Sequence, residues 1–371
     1  LLHVDLPTRQ DLTWLLDATD PSSVTIYLPT TPVSTETGAS RIELKNLAAT
    51  ARDRLVERGT SHADVAAIAE LIDDLLDDDH FWRFQARSLA IFVRPAGIRT
   101  FRLANRLEAR VSVADRFLMK PLLRATTFPP DALVLALAQG SARLWQIAGD
   151  LPPDEVRVPG MPDDAASAVG KASIGDRSPS GRIQGSEGQK VRLAQYARAV
   201  DAAIRPIVSG ADEPLILAAS EPMASIFRSI SGASTLLDEG IDGNPERIEA
   251  AQLAASALEV LDRRADAQLA ELRSRYAELL GTGRASADPV TVARAAFLGA
   301  VDTLLVDIDA ALVGRIDPAT GRIDASAAAD DGGLVDDIAR YVIRGGGRVL
   351  ALRAADLPDG QEVAALFRHP V

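Results

Sequence analysis

Cysteine is absent from the chain, which excludes a disulfide framework and any reaction that runs through a thiolate. Histidine is scarce, at four residues, so a metal centre would rest mainly on carboxylates, and none is expected. No apolar run reaches the length of a membrane span and no secretory leader is recognisable, so the expected compartment is the cytoplasm, with no membrane partner. Lysine is confined to Lys45, Lys120, Lys171 and Lys190, so nearly all positive charge is arginine, whose planar fork suits phosphate oxygens. A GC-rich genome would give the same bias toward Ala, Arg and Asp.

What is present is a globular balance, 47% hydrophobic and 25% charged over 371 residues, long enough for two or three domains. The net charge of −12 argues against a nucleic-acid partner when taken alone. Its distribution argues otherwise. Over 157–205, Arg157, Lys171, Arg177, Arg182, Lys190, Arg192, Arg198 and Arg205 outnumber Asp163, Asp164, Asp176, Glu187 and Asp201, a basic span inside an acidic protein.

The first 125 residues read as an α/β unit. A β-branched run at Val24 to Leu28 ends at Pro29, two helical stripes follow (Leu44 to Leu55, Val65 to Leu76), and strands at 88–93, 100–103 and 110–113 suggest a meander. After Phe128-Pro129-Pro130, two short strands separated by Gln139-Gly140 form a hairpin signal. From Asp150 to Gln189 the chain is rich in Pro, Gly, Ser and Asp without a sustained period, and a loop of that length points to disorder or to function. Asn244-Pro245-Glu246 is a helix start, with a helix to about Leu280. Asp288-Pro289 opens another helix, Thr303 to Val306 is a strand, Leu334 to Ile343 is a helix stopped by three glycines, Arg348 to Leu352 is a strand, and Val363 to Phe367 is a short strand or helix. The alternation predicts an α/β fold class, with domains at 1–127, 128–255 and 256–371.

Three constellations bear on chemistry. Asp77-Asp78-Asp79-His80 offers metal-ligating atoms, but sequence neighbours rarely converge on one ion and a solvated helix end is the better account. Asp307-Ile308-Asp309 resembles the aspartate-x-aspartate strand end of haloacid-dehalogenase-type phosphotransferases, in which one carboxylate attacks phosphorus and the next acts as acid. That chemistry also needs a cation for the phosphoryl group, and no lysine follows Lys190. The third is Gly181-Arg182-Ile183-Gln184-Gly185-Ser186-Glu187-Gly188-Gln189-Lys190, a glycine-bearing loop that runs into a helical segment at 191–208. Glycines let a backbone enter a narrow site, and a helix N-terminus projects free N–H groups toward anions. A mobile surface loop is the alternative.

Several segments together resemble the bacterial branch of the archaeo-eukaryotic release factor superfamily. They are Ser23-Val24-Thr25-Ile26-Tyr27-Leu28-Pro29-Thr30, Asp78-Asp79-His80-Phe81-Trp82, Ser88 to Val93, Asp115 to Leu123, Gly346-Gly347-Arg348-Val349-Leu350, Asp356-Leu357-Pro358 and Val363 to Arg368. The resemblance implies three α/β domains: an N-terminal one, an RNase H-like central one bearing a tip loop at 150–189, and a C-terminal one like kink-turn-binding ribosomal proteins. It implies the ribosome, its RNA at the A site and elongation factor Tu as partners, in hibernation or rescue, and no cofactor. Gly188 and Gln189 correspond to the last two residues of the Gly-Gly-Gln tip that attacks peptidyl-tRNA, with Glu187 in place of the first glycine. A carboxylate there opposes hydroxide attack and the developing oxyanion, so occupancy without hydrolysis is expected, with peptidyl-tRNA hydrolysis through Gln189 as the alternative. Arg177, Arg182, Lys190, Arg192 and Arg198 are the expected RNA-binding residues.

Overall fold

Thr8 opens the first helix, α1 (Arg9–Leu16): its hydroxyl accepts the Asp11 amide at 3.2 Å, while the Asp11 carboxylate accepts the Thr8 amide at 3.0 Å. The computed structural model describes residues 4–5, 7–149, 151–172, 186–209, 213–307, 309–310, 312–324 and 333–371. These fall into two compact units, one of Pro130–Ala265 and one in which His3–Pro129 joins Asp266–Val371. Both are built of helices and sheets, the α/β class expected.

In the first 129 residues, α1 is followed by β1 (Ser23–Pro29), α2 (Thr37–Glu57), α3 (His62–Asp77), α4 (Asp79–Arg83), β2 (Ser88–Arg94), β3 (Gly97–Leu103), β4 (Arg110–Ala114) and α5 (Lys120–Thr126). The sheet order is β3-β2-β1-β4, antiparallel throughout, which corrects the expected meander: β4 pairs with β1, not β3. The cause is burial. Strand β1 is buried on both faces, so it takes the centre, with Val24, Ile26 and Leu28 against α2 and α3 and Tyr27 against Phe92 on the other face. Asp78, in the acidic run before His80, accepts the Phe81 amide at 2.9 Å and so caps α4, while Asp79 pairs with Arg41 at 2.6 Å.

The unit Pro130–Ala265 holds β5 (Asp131–Leu137), β6 (Ala142–Ala148), β7 (Asp154–Val156), α6 (Ala165–Ala172), α7 (Ser186–Val208), β8 (Leu215–Ala219), α8 (Met223–Ile230), β9 (Ile241–Asp242) and the start of α9 (Ala250–Leu280). The hairpin β5/β6 lies in a sheet of order β7-β6-β5-β8-β9, in which β5, β8 and β9 run parallel. Two expectations are corrected here. The segment 150–189 is not structureless, since β7 and α6 lie within it and α7 begins at Ser186; residues 173–185 and Asp150 lie outside the described residues. Asn244 caps only a single 3-10 turn, Pro245–Arg247, and the long helix starts at Ala250 after an extended Ile248.

The chain closes with β10 (Ala285–Ser286), α10 (Pro289–Phe297), β11 (Val301–Asp307), β12 (Arg315–Ile316), β13 (Ile323–Asp324), α11 (Gly333–Arg344), β14 (Arg348–Leu352) and β15 (Val363–Phe367), so the last apolar run is a strand. The larger sheet has the order β10-β15-β11-β14. Helix α11 stops at its glycines, where Gly346 takes φ +73°, a conformation that a side chain opposes.

Buried charge ties 3–129 to 266–371 within their shared unit. Arg116 pairs with the buried Asp337, whose second oxygen accepts the Ile316 amide at 3.0 Å. Arg315 grips Asp115 with two bonds of 2.9 and 3.1 Å. The Met119 amide donates to Asp336 at 3.3 Å. Burial pushes the Asp336 carboxyl up to about 7, against the pull of that amide and of Lys120 and Arg340.

Candidate nucleic-acid interface

Helix α7 is the element that carries the expected RNA-binding residues. Leu193, Tyr196, Ala197, Val200, Ile204 and Val208 form its buried stripe, packed against Leu133, Leu135, Leu144, Leu215 and Leu217 of the sheet. That stripe fixes which residues face water: Gln189, Lys190, Arg192, Arg198 and Arg205 are exposed. Arg205 is held by Asp201 one turn earlier at 2.6 Å, whereas Lys190, Arg192 and Arg198 make no ion pair among the described residues.

Gly188 and Gln189 lie in the first turn of α7, which corrects their expected place in a loop that becomes helical only at 191. Ser186 and Glu187 are residue types that suit a helix start, and they extend the helix over the glycine that follows. Gly188 is buried and Gln189 exposed. Arg177 and Arg182 fall outside the described residues. The structure therefore brings Gln189, Lys190, Arg192 and Arg198 onto one helix, with Gln189 in the first turn, whose free amides form the positive end of the helix dipole.

Around Tyr196, further along α7, lie polar groups that the sequence reading missed. The Ala165 amide donates to the Gln139 carbonyl at 2.9 Å, fastening α6 to the β5/β6 turn, and Asp164 accepts the Ser167 amide at 2.6 Å. That amide holds the Asp164 carboxyl below its usual range. The hydroxyl of Tyr196 is buried with no hydrogen-bond partner among the described residues. Burial raises its pKa, and Asp164, Glu246 and Asp163 raise it further.

The other constellation sits in the second unit. Asp307 ends β11 and accepts the Asp309 amide at 3.1 Å, so the two acids form a closed turn. Lys120, from a segment remote in sequence, donates to the Ala310 carbonyl, and its pKa is lowered by burial against the opposing pull of Asp336, Asp307 and Asp309. A cation is thus present where the sequence suggested none. Among the described residues, no group of three or more His, Asp or Glu side chains is placed to hold a metal ion, as phosphotransfer would require.

Residues 129–267 match the model of bacterial archaeo-eukaryotic release factor family 11, almost the same residues as the compact unit that carries α7. No curated protein matches the chain in sequence. Among solved structures, Saccharomyces cerevisiae Dom34, described as a translation termination-like factor, is 13% identical, with 76% of this chain and 75% of that one covered and a TM-score of 0.42. Archaeoglobus fulgidus Pelota is 13% identical over 99% of this chain and 94% of its own, at a TM-score of 0.33. An archaeal Pelota from a model of the ribosome-bound protein with ABCE1 is 11% identical over 99% and 96%, at 0.42. With scores this low, these likenesses add nothing to the family match. By that match, the chain is similar to bacterial archaeo-eukaryotic release factors through the unit that presents Gly188, Gln189 and the exposed cations of α7.

Proposed function

We propose that this chain is a cytoplasmic translation factor that occupies the A site of the ribosome, in hibernation or rescue, without efficient hydrolysis of peptidyl-tRNA. The observation that carries this reading is the family match over the residues that build α7 and its exposed cations Lys190, Arg192 and Arg198. Lys190, Arg192 and Arg198 supply cations for ribosomal RNA phosphates, and the free amides of the first helical turn supply oriented donors. Arg177 and Arg182 are assigned to the same contact on charge and sequence proximity. The three-domain order, with an RNase H-like centre and a C-terminal domain like kink-turn-binding proteins, belongs to this proposal, as does elongation factor Tu as a delivery partner.

Hydrolysis is set aside because Glu187 stands where the tip sequence has its first glycine, and a carboxylate near the ester would repel both hydroxide and oxyanion. The exposure of Gln189 beside free amides favours the opposite reading, a peptidyl-tRNA hydrolase. Ribosome cosedimentation and release of labelled peptide separate the two. The protein is expected to pellet with 70S ribosomes at low salt, to lose about tenfold in affinity when Arg192 and Arg198 are both changed to Glu, and to release no peptide above background. Release that disappears in Gln189→Ala would establish the hydrolase, and failure to pellet with ribosomes would overturn both readings.

A further inference from the structure

Away from α7, in the unit that contains the N-terminal sheet, two arginines share one tryptophan. The guanidinium of Arg94 lies 4.6 Å from the ring centroid of Trp14 and that of Arg99 lies 5.1 Å from it. Strand register brings the two together. Arg94 pairs with Gly97 and Phe92 with Arg99 across β2/β3, so Arg94 and Arg99 are diagonal neighbours on the sheet face that also carries Phe92. On that face Phe92 meets Phe117 at 5.4 Å, and Phe117 stacks on Trp14 at 5.5 Å with the rings 23° apart. The aromatic column holds the indole firmly, and the indole holds two like charges near each other. Gly97, opposite Arg94, has open space where a side chain would stand, so the arginines border a cleft rather than a packed core.

Like charges converge in this way only at a cost, and the acids nearby offset it for Arg99 alone. Asp11 is committed to the capping box of α1 and to Arg99 at 3.6 Å. Asp17 is committed to Arg344 at 2.6 Å. Arg94 makes no ion pair among the described residues, and its Nε is buried without a hydrogen-bond acceptor. One cationic fork therefore lacks a counter-charge, beside a second fork and the Gln10 side chain in the same cleft. Arg99 spends Nη1 on the Ile98 carbonyl at 3.0 Å, which leaves its Nη2, together with the unpaired fork of Arg94, as N–H donors for a tetrahedral dianion or phosphodiester.

We propose that Arg94 and Arg99, held on Trp14, form a subsite for an RNA backbone phosphate. The subsite shares its RNA partner with the ribosome reading but stands on residues of the other compact unit, so each can fail without the other. The test is fluorescence anisotropy of the full chain with a fluorescein-labelled oligouridine RNA across a series of KCl concentrations. In the double variant R94Q/R99Q, affinity is expected to fall about tenfold at ~0.1 M KCl, and the slope of log affinity against log salt to flatten by about 1.4 for two lost contacts to a single strand. R94K/R99K, which keeps the charges and loses the forks, should retain the slope while binding more weakly. Unchanged affinity and slope in R94Q/R99Q would overturn the subsite, even if the same variant pelleted normally with ribosomes. The predicted loss in a protein that never pelleted with ribosomes would support the subsite while ending the ribosome reading. Complete displacement of the RNA by inorganic phosphate at matched ionic strength would overturn the RNA assignment in favour of free phosphate.

Discussion

Asp131 starts β5 with a side chain only 3% exposed, and burial, reinforced by the like charge of Glu213, pushes its carboxyl up to about 7. The folded protein therefore retains a proton there between about pH 4 and 7 that the unfolded chain has lost, so stability falls as pH rises through that window and levels off above it. Asp131→Asn removes this liability. Its melting temperature is expected to exceed that of the parent at pH 8, by on the order of 2 kcal/mol in unfolding free energy, with little gain at pH 4. Thermal melts at both pH values check the sign. Tyr196 makes a companion case: its hydroxyl is buried without a partner, so Tyr196→Phe should leave stability unchanged or raise it by up to about 1 kcal/mol in urea unfolding. Neither residue stood out in the sequence, because an Asp before a strand and a Tyr on a helical stripe look the same whether or not their polar atoms find partners.

Element by element, local pattern was a good guide wherever one face alone is apolar. The β-branched run of β1, the α2 and α3 stripes, the β5/β6 hairpin and the glycine stop of α11 were all legible, since each is set by period or by a residue with a restricted backbone. The 150–189 segment was misread because α6 is short and alanine-rich, with no stripe long enough to register, and because Ser186 and Glu187 begin α7 ahead of its first buried leucine. Register was invisible too: that β1 lies between β2 and β4 depends on pairings that no local window contains. Gly240 shows the same limit. It precedes β9, and a Cβ there would stand 2.5 Å from the Leu217 carbonyl oxygen and 2.7 Å from Arg228 Nη2. Strand β8 cannot yield its backbone without losing its ladder, so Gly240→Ala should destabilise the central unit by roughly 2–3 kcal/mol. A shift in the urea midpoint measures it.

For the whole molecule, the ends of the chain are joined by ion pairs between residues about 200 positions apart, Arg116 with Asp337 and Arg315 with Asp115. Arg116→Ala leaves a buried carboxylate without its cation and should cost about 3–5 kcal/mol in chemical denaturation. Arg315→Ala, which frees a half-exposed Asp115, should cost about 1 kcal/mol or less. The family match covers the central unit and leaves the other to be read from its own chemistry. The account turns on that central unit, whose exposed arginines and glycine-glutamine turn are assigned to the ribosomal A site. Competition with tRNA tests this most directly, by measuring binding of the full chain to 70S ribosomes with the A site empty and with it filled by tRNA. The account predicts that a filled A site abolishes binding and that excess protein displaces the tRNA. Simultaneous binding of protein and A-site tRNA, with affinity unchanged, would contradict it.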